Sequence, residues 1–72
     1  MIVVRMDNRG LQPPQPMVRI LAACDTLQPG DKIEADMDRR PMFLFPELDE
    51  RGFTYACSER PGGGYVLTVE RP

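Results

Sequence analysis

Two thiols are the strongest nucleophiles in this chain, and their positions limit the chemistry open to it. Cys24 and Cys57 lie far apart and form no CxxC pair, and the chain has no histidine. A structural zinc site draws four ligands from such residues, so two isolated thiols do not supply one. A disulfide between them would be unusual in a reducing compartment. The sequence therefore predicts no metal, no cofactor and free thiols.

Core packing is the favoured interpretation of both cysteines. Cys24 falls on the apolar stripe of a predicted helix, and Cys57 on the inward side of a predicted strand. A buried free cysteine packs as a small hydrophobe, whereas a reactive one needs exposure and a lowered pKa. A displaced thiol site at Cys57 stays open as the alternative.

Arginines that follow two predicted strands form the second candidate site. Arg9 follows the first strand and Arg39-Arg40 follow the second. Ligand sites in open α/β sheets lie beyond the carboxyl ends of parallel strands, so neighbouring strands would bring the three arginines together near both helix starts. An anion or an acidic protein surface would fit there. The alternative is that they are solvated loop charges, balanced by Asp7, Asp36 and Asp38.

The elements that position these residues follow from hydrophobic periodicity. Alternation of apolar and polar residues predicts four strands, over residues 2–7, 31–37, 53–58 and 65–70. Three- and four-residue spacings predict a first helix from Pro14 or Gln15 to Leu27. A second helix is predicted from about Pro41 to Arg51, with Asp38 as its candidate cap and an irregular or tight first turn before Pro46. Gly52 is predicted to end this helix as a left-handed cap. At least one of the four apolar residues 42–45 is expected to stay exposed, because one sheet cannot cover them all.

The element order βαβαββ predicts a two-layer α/β sandwich in a single domain over residues 1–72. All four strands alternate, so one sheet face meets both helices while the other stays wet. Right-handed helical crossovers make the first three strands parallel, and a Gly-rich hairpin makes the fourth antiparallel. The residues expected to face the helices include Ile33, Ala35, Met37, Leu67 and Val69.

Composition narrows the classes of partner. The net charge is -2, which disfavours nucleic acid, because phosphate binding needs clustered cations. No apolar stretch approaches the roughly 20 residues that span a bilayer, and the first residues lack signal-peptide features. The expected location is the cytoplasm, with no membrane contact. A chain of this size buries only about 60% of its unfolded surface, so a partner or weak homodimerisation is expected to help it.

The proline-rich junction carries a family resemblance. Its frame, Gly10-Leu11-Gln12-Pro13-Pro14-Gln15-Pro16, resembles the Gly-Leu-x-Cys-Pro-x-Pro pattern of the TusA/SirA-like sulfur carriers. The chain is also similar to a related family of short bacterial domains whose function is unassigned. The resemblance extends over essentially the whole chain and implies a four-stranded mixed sheet in the order 1-2-4-3.

The chain lacks the sulfur-carrying cysteine of the TusA/SirA-like pattern. Pro13 occupies its position, and proline has no nucleophile, so persulfide chemistry there is excluded. A helix start favours a thiolate through its dipole and free N–H groups. A cysteine placed at position 13 is therefore expected to have a pKa lowered by about one unit.

These observations favour a small non-enzymatic binding or adaptor domain with a sulfur-carrier fold. A thiol or sulfur-transfer protein working through Cys57 is the first alternative, and an RNA-associated domain is the second, because translation initiation factors contain a similar two-layer fold. The expected partner is a protein. The residues expected to meet it are Arg9, Gly10, Gln12, Pro13, Pro14, Arg39, Arg40 and Pro41.

Overall fold

The computed structural model describes every residue from Met1 to Pro72 and has the predicted order βαβαββ. The sheet runs β1-β2-β4-β3. Strands β1 and β2 are parallel, and β4 is antiparallel to both of its neighbours. The predicted two-layer class and the strand order implied by the resemblance are thereby confirmed. The elements are β1 Val3–Asp7, α1 Gln15–Cys24, β2 Lys32–Met37, α2 Leu44–Glu50, β3 Thr54–Glu59 and β4 Tyr65–Glu70.

The strand alternation sets the sheet register. Ile33 lies opposite Val69, and Ala35 lies opposite Leu67, across the β2–β4 pair. These four side chains and Met37 are buried in the core. Their polar neighbours along the strands point to the open face, as the period of two requires. The predicted register is therefore confirmed.

Both helices contribute an apolar stripe to the same core. Ile20 and Cys24 from α1 are completely buried, as is Leu48 from α2, and Leu44 is nearly so. Cys24 is free and buried, which confirms its interpretation as a small core residue. Neither helix is both long enough and apolar enough to cross a bilayer.

Helix α1 ends earlier than predicted. It stops at Cys24 instead of Leu27, because the chain tightens into turns. The N–H groups of Thr26 and Leu27 donate to the carbonyls three residues back, at Ala23 and Cys24. Leu27 nevertheless remains in the core, so its apolar period is kept although its backbone is no longer α-helical.

Helix α2 begins later than predicted, at Leu44 instead of Pro41. Pro46 cannot donate a backbone hydrogen bond, so it fits only where the first turn leaves donors unpaired. A start at Leu44 makes Pro46 the third helical residue. A tight turn precedes the helix, in which the Leu44 N–H donates to the Pro41 oxygen at 3.0 Å. Asp38 does not cap this helix, which has no side-chain cap.

The end of α2 follows the predicted glycine signal. Gly52 has a φ of 81°, a left-handed conformation that glycine adopts without steric cost. The Gly52 N–H donates to the Asp49 oxygen at 3.1 Å, and the Phe53 N–H donates to the Leu48 oxygen at 3.0 Å. This pair of bonds is a Schellman motif, and it directs the chain into β3.

Candidate functional site

A groove of about 700 Å³ lies between the proline-rich junction and the segment that joins β2 to α2. One wall is formed by residues 11–14 with Pro16 and Met17, and the other by residues 38–44. The buried residues Asn8 and Met37 complete its lining. We call this feature the proline groove. It brings together two segments that are separated by twenty residues in the sequence.

A hydrogen bond ties the two segments together. The N–H of Gly10 donates to Oδ2 of Asp38 at 2.7 Å. Gly10 has a φ of 81°, so its backbone takes the positive φ that glycine tolerates best. Asp38 therefore fastens the proline-rich junction to the loop after β2 instead of capping α2.

The proline groove gathers most of the residues predicted to meet a partner. Arg9 and Gly10 are not among its lining residues. Arg9 is held by Asp7 through two bonds, with Nε–Oδ1 at 2.9 Å and Nη2–Oδ2 at 2.8 Å. The Arg9 guanidinium also holds the pKa of the Asp7 carboxyl well below its usual range. Of the predicted residues, the groove is lined by Gln12, Pro13, Pro14, Arg39, Arg40 and Pro41.

The start of α1 offers few donors to an anion. Pro14 and Pro16 have no N–H, and the Gln15 N–H already donates to the Gln12 oxygen at 2.9 Å. Only the Met17 N–H of the first turn is left without an acceptor in the protein. The prolines thus remove the oriented N–H groups on which anion binding at a helix start depends.

Arg39 and Arg40 provide the cationic character of the groove. Both are exposed, and neither belongs to any of the chain's ion pairs. The Arg40 guanidinium lies 5.5 Å from the centre of the Phe45 ring. That ring stacks on Tyr55 with 4.8 Å between centroids. The aromatic pair supports Arg40 through a cation–π contact, which leaves the charge free for another molecule.

Exposed apolar side chains continue the groove beyond the arginines. Met42 is 59% exposed and Phe43 is 89% exposed. The sequence predicted that at least one of the apolar residues around the start of α2 would stay outside the core. The late start of α2 explains which ones, because residues 41–43 form a turn before the helix and only Leu44 turns inward.

Asn8 is a candidate site residue that the sequence reasoning missed. It lines the groove but is only 1% exposed. Its Nδ2 lies 3.4 Å from the Pro16 oxygen and 3.5 Å from the sulfur atoms of Met6 and Met37. Its Oδ1 has no hydrogen-bond partner. A polar residue at the end of a strand is typical of a turn, so no sequence pattern signals its burial.

The thiols have environments unlike those of reactive cysteines. Burial raises the pKa of Cys57, and the nearby Arg40 opposes this effect only in part. Burial likewise raises the pKa of Cys24. A raised pKa leaves less thiolate at neutral pH. No three Cys, Asp or Glu side chains lie close enough together to hold a metal ion.

A family model described as an uncharacterized conserved protein, DUF2249, matches residues 5–71. The chain belongs to the DUF2249 family. The match includes both walls of the proline groove, so the groove is part of the DUF2249 domain and not an addition to it. Comparisons with curated proteins and with solved structures give no match.

Proposed function

We propose that this DUF2249 domain is a non-enzymatic binding or adaptor domain of the cytoplasm that contacts a protein partner through the proline groove. In this proposal it is related to the TusA/SirA-like carriers, whose frame it shares at Gly10, Leu11, Pro14 and Pro16. With Pro13 in place of the carrier cysteine, the frame would serve recognition instead of sulfur transfer.

The observation that carries the proposal is the composition of the groove. Prolines, methionines and the exposed Phe43 lie beside Arg39 and Arg40, neither of which is in an ion pair. Aromatic residues, methionine and arginine are enriched in protein interfaces. The strongest energetic contributions come from such apolar and arginine anchors near the centre of a contact.

The two alternatives have less support. A thiol carrier would need a nucleophile, but position 13 has none and burial raises the pKa of Cys57. An RNA-associated domain would need several phosphate contacts, whereas the groove offers only Arg39 and Arg40 in a chain of net charge -2.

Site-specific photocrosslinking in native cytosol tests the proposal. A benzophenone amino acid replaces Phe43 at the groove, and the matched control places it at Ala56, which is exposed on the open sheet face. We expect the Phe43 probe to capture one protein that the Ala56 probe does not. The affinity of the purified partner is then measured by calorimetry.

Charge reversal locates the contact. The variant Arg39→Glu with Arg40→Glu should weaken binding by at least about tenfold, because it reverses the field that the partner meets. The control Arg5→Glu with Lys32→Glu changes the net charge equally on the open face. Both variants should keep the melting temperature within a few degrees. Equal loss in both variants, or no loss in the groove variant, would remove the groove from the function.

A further inference from the structure

The proline groove contains an acceptor that the protein itself leaves unpaired. Asn8 is buried, yet its Oδ1 finds no donor. Buried polar groups are nearly always hydrogen-bonded, and an exception calls for an explanation. Asn8 lines the groove, but Oδ1 itself is buried, so the side chain must rotate toward the groove before an N–H group on a bound molecule can reach this oxygen. A donor on a bound molecule would satisfy this acceptor.

The donor required is one that an extended peptide carries. Backbone N–H groups inside a helix are already paired, whereas those of an extended segment remain available. The removal of N–H donors from the start of α1 by Pro14 and Pro16 makes the opposite ligand, a small anion, a poor match. The groove volume of about 700 Å³, lined by residues 11–14, 16, 17 and 38–44, is large enough for a short peptide segment.

The positive charge of the groove favours a peptide with acidic side chains. Arg39 and Arg40 have no carboxylate partner within the chain. Arg40 is held over the Phe45 ring, so less conformational freedom is lost when it binds a carboxylate. The exposed Met42 and Phe43 next to them offer a contact for one bulky apolar side chain.

We infer that the proline groove binds an extended acidic segment of a partner protein. One backbone N–H of the segment donates to Oδ1 of Asn8, a carboxylate pairs with Arg39 or Arg40, and an apolar side chain packs against Phe43. This inference rests on the proposed function and names the chemistry of the partner.

A positional-scanning array of synthetic octapeptides tests the chemistry without knowledge of the partner. The purified domain is applied to pools in which one position at a time is fixed. We expect enrichment of Asp or Glu a few positions from Leu, Phe or Met. The variant Arg39→Glu with Arg40→Glu should instead enrich Lys or Arg. A selection without acidic residues, or one that charge reversal leaves unchanged, overturns the inference.

N-methylation of the best peptide tests the role of Asn8. Each backbone N–H is replaced in turn by N-methyl, and affinities are measured by fluorescence anisotropy. N-methylation at one position should lower the affinity for the wild-type domain about five- to tenfold, which corresponds to the loss of one hydrogen bond. In Asn8→Leu the unmodified peptide should bind about five- to tenfold more weakly, and the same N-methylation should cost little more. Equal costs in both proteins would overturn the bond to Asn8.

Folding stability provides an independent check. Asn8→Leu removes the unpaired acceptor, which favours folding, and also the Nδ2 contacts with the Pro16 oxygen and the two methionine sulfur atoms, which opposes it. The melting temperature should therefore change by only a few degrees, while peptide affinity falls. If the larger side chain disturbs packing, Asn8→Ala supplies the same comparison, because it also lacks the acceptor. Affinity that is retained in both folded variants contradicts the assignment.

The outcomes separate this inference from the proposed function. Suppose that the Phe43 probe captures a protein, that charge reversal abolishes its binding, and that the array selects no acidic peptide. The adaptor role is then supported, and the inference of an acidic peptide is wrong. No capture at Phe43 and no selected peptide ends both. Binding of a 20-nucleotide oligouridine in place of any peptide also ends both.

Discussion

Replacement of Pro13 by cysteine puts a thiol where the sulfur-carrier pattern has one. The thiol would lie two residues before α1, which begins at Gln15, and on the wall of the proline groove. Its pKa reports whether the junction stabilises an anion as a carrier site would. The test is made with Cys24→Ala and Cys57→Ala, so that only one thiol titrates.

The structure makes the expected shift smaller than the sequence suggested. The neighbouring prolines have no N–H and the Gln15 N–H is already used by Gln12, so of the first turn only the Met17 N–H remains to donate. The helix dipole remains, at about 0.3–1 kcal/mol. Since one pKa unit corresponds to about 1.36 kcal/mol, the dipole lowers the pKa by about 0.2–0.7 units from about 8.5. Arg39 and Arg40 line the same groove and lower it further.

Alkylation rate against pH measures this pKa. In the background Arg39→Ala with Arg40→Ala, the helix dipole alone shifts the thiol pKa. The difference from the pKa measured with the native arginines gives the part of the shift that the arginines cause. We expect a value slightly below that of a free thiol without the arginines and a lower one with them. A raised pKa would refute the account of the helix start. A drop of about two units or more without the arginines would show that N–H donors face position 13 after all.

Three further substitutions test the framework around the groove. Gly64→Ala should cost about 1–3 kcal/mol in urea unfolding, because φ is 79° and a Cβ would lie 2.8 Å from a carbonyl oxygen of β2; a cost near zero would contradict this. Hydrogen bonds from the backbone N–H of Gln28, and then of Ile2, lower the pKa of Asp31. The ionised Asp31 carboxylate therefore stabilises the fold above about pH 3.9, and this contribution is lost on acidification. Asp31→Asn should therefore lower the melting temperature at neutral pH and flatten its fall in acid, and a parallel acid profile would count against it. Asp38→Ala should cost about 0.5–1.5 kcal/mol and remove the amide-exchange protection of Gly10, whose retained protection would show that another acceptor replaces Asp38.

The sequence by itself determined the layers of this protein. Strict alternation in each strand placed Ile33, Ala35 and Leu67 on one face, and that face met the helices as expected. Gly52 marked the end of α2 because a left-handed residue was needed there. These features are local, since period and turn chemistry depend on neighbours in the chain. The strand order was implied by the family resemblance and not by the periodicity.

Only the tertiary structure decided which polar groups are satisfied. The sequence left Arg9 with two possible environments, beside Arg39 and Arg40 or balanced by an aspartate, and the structure pairs it with Asp7. Asp38 was expected at a helix start, but it binds the Gly10 N–H. The buried and unpaired oxygen of Asn8 had no sequence signal at all. Pairing and burial depend on distances between segments far apart in the chain, and a one-dimensional pattern does not contain those distances.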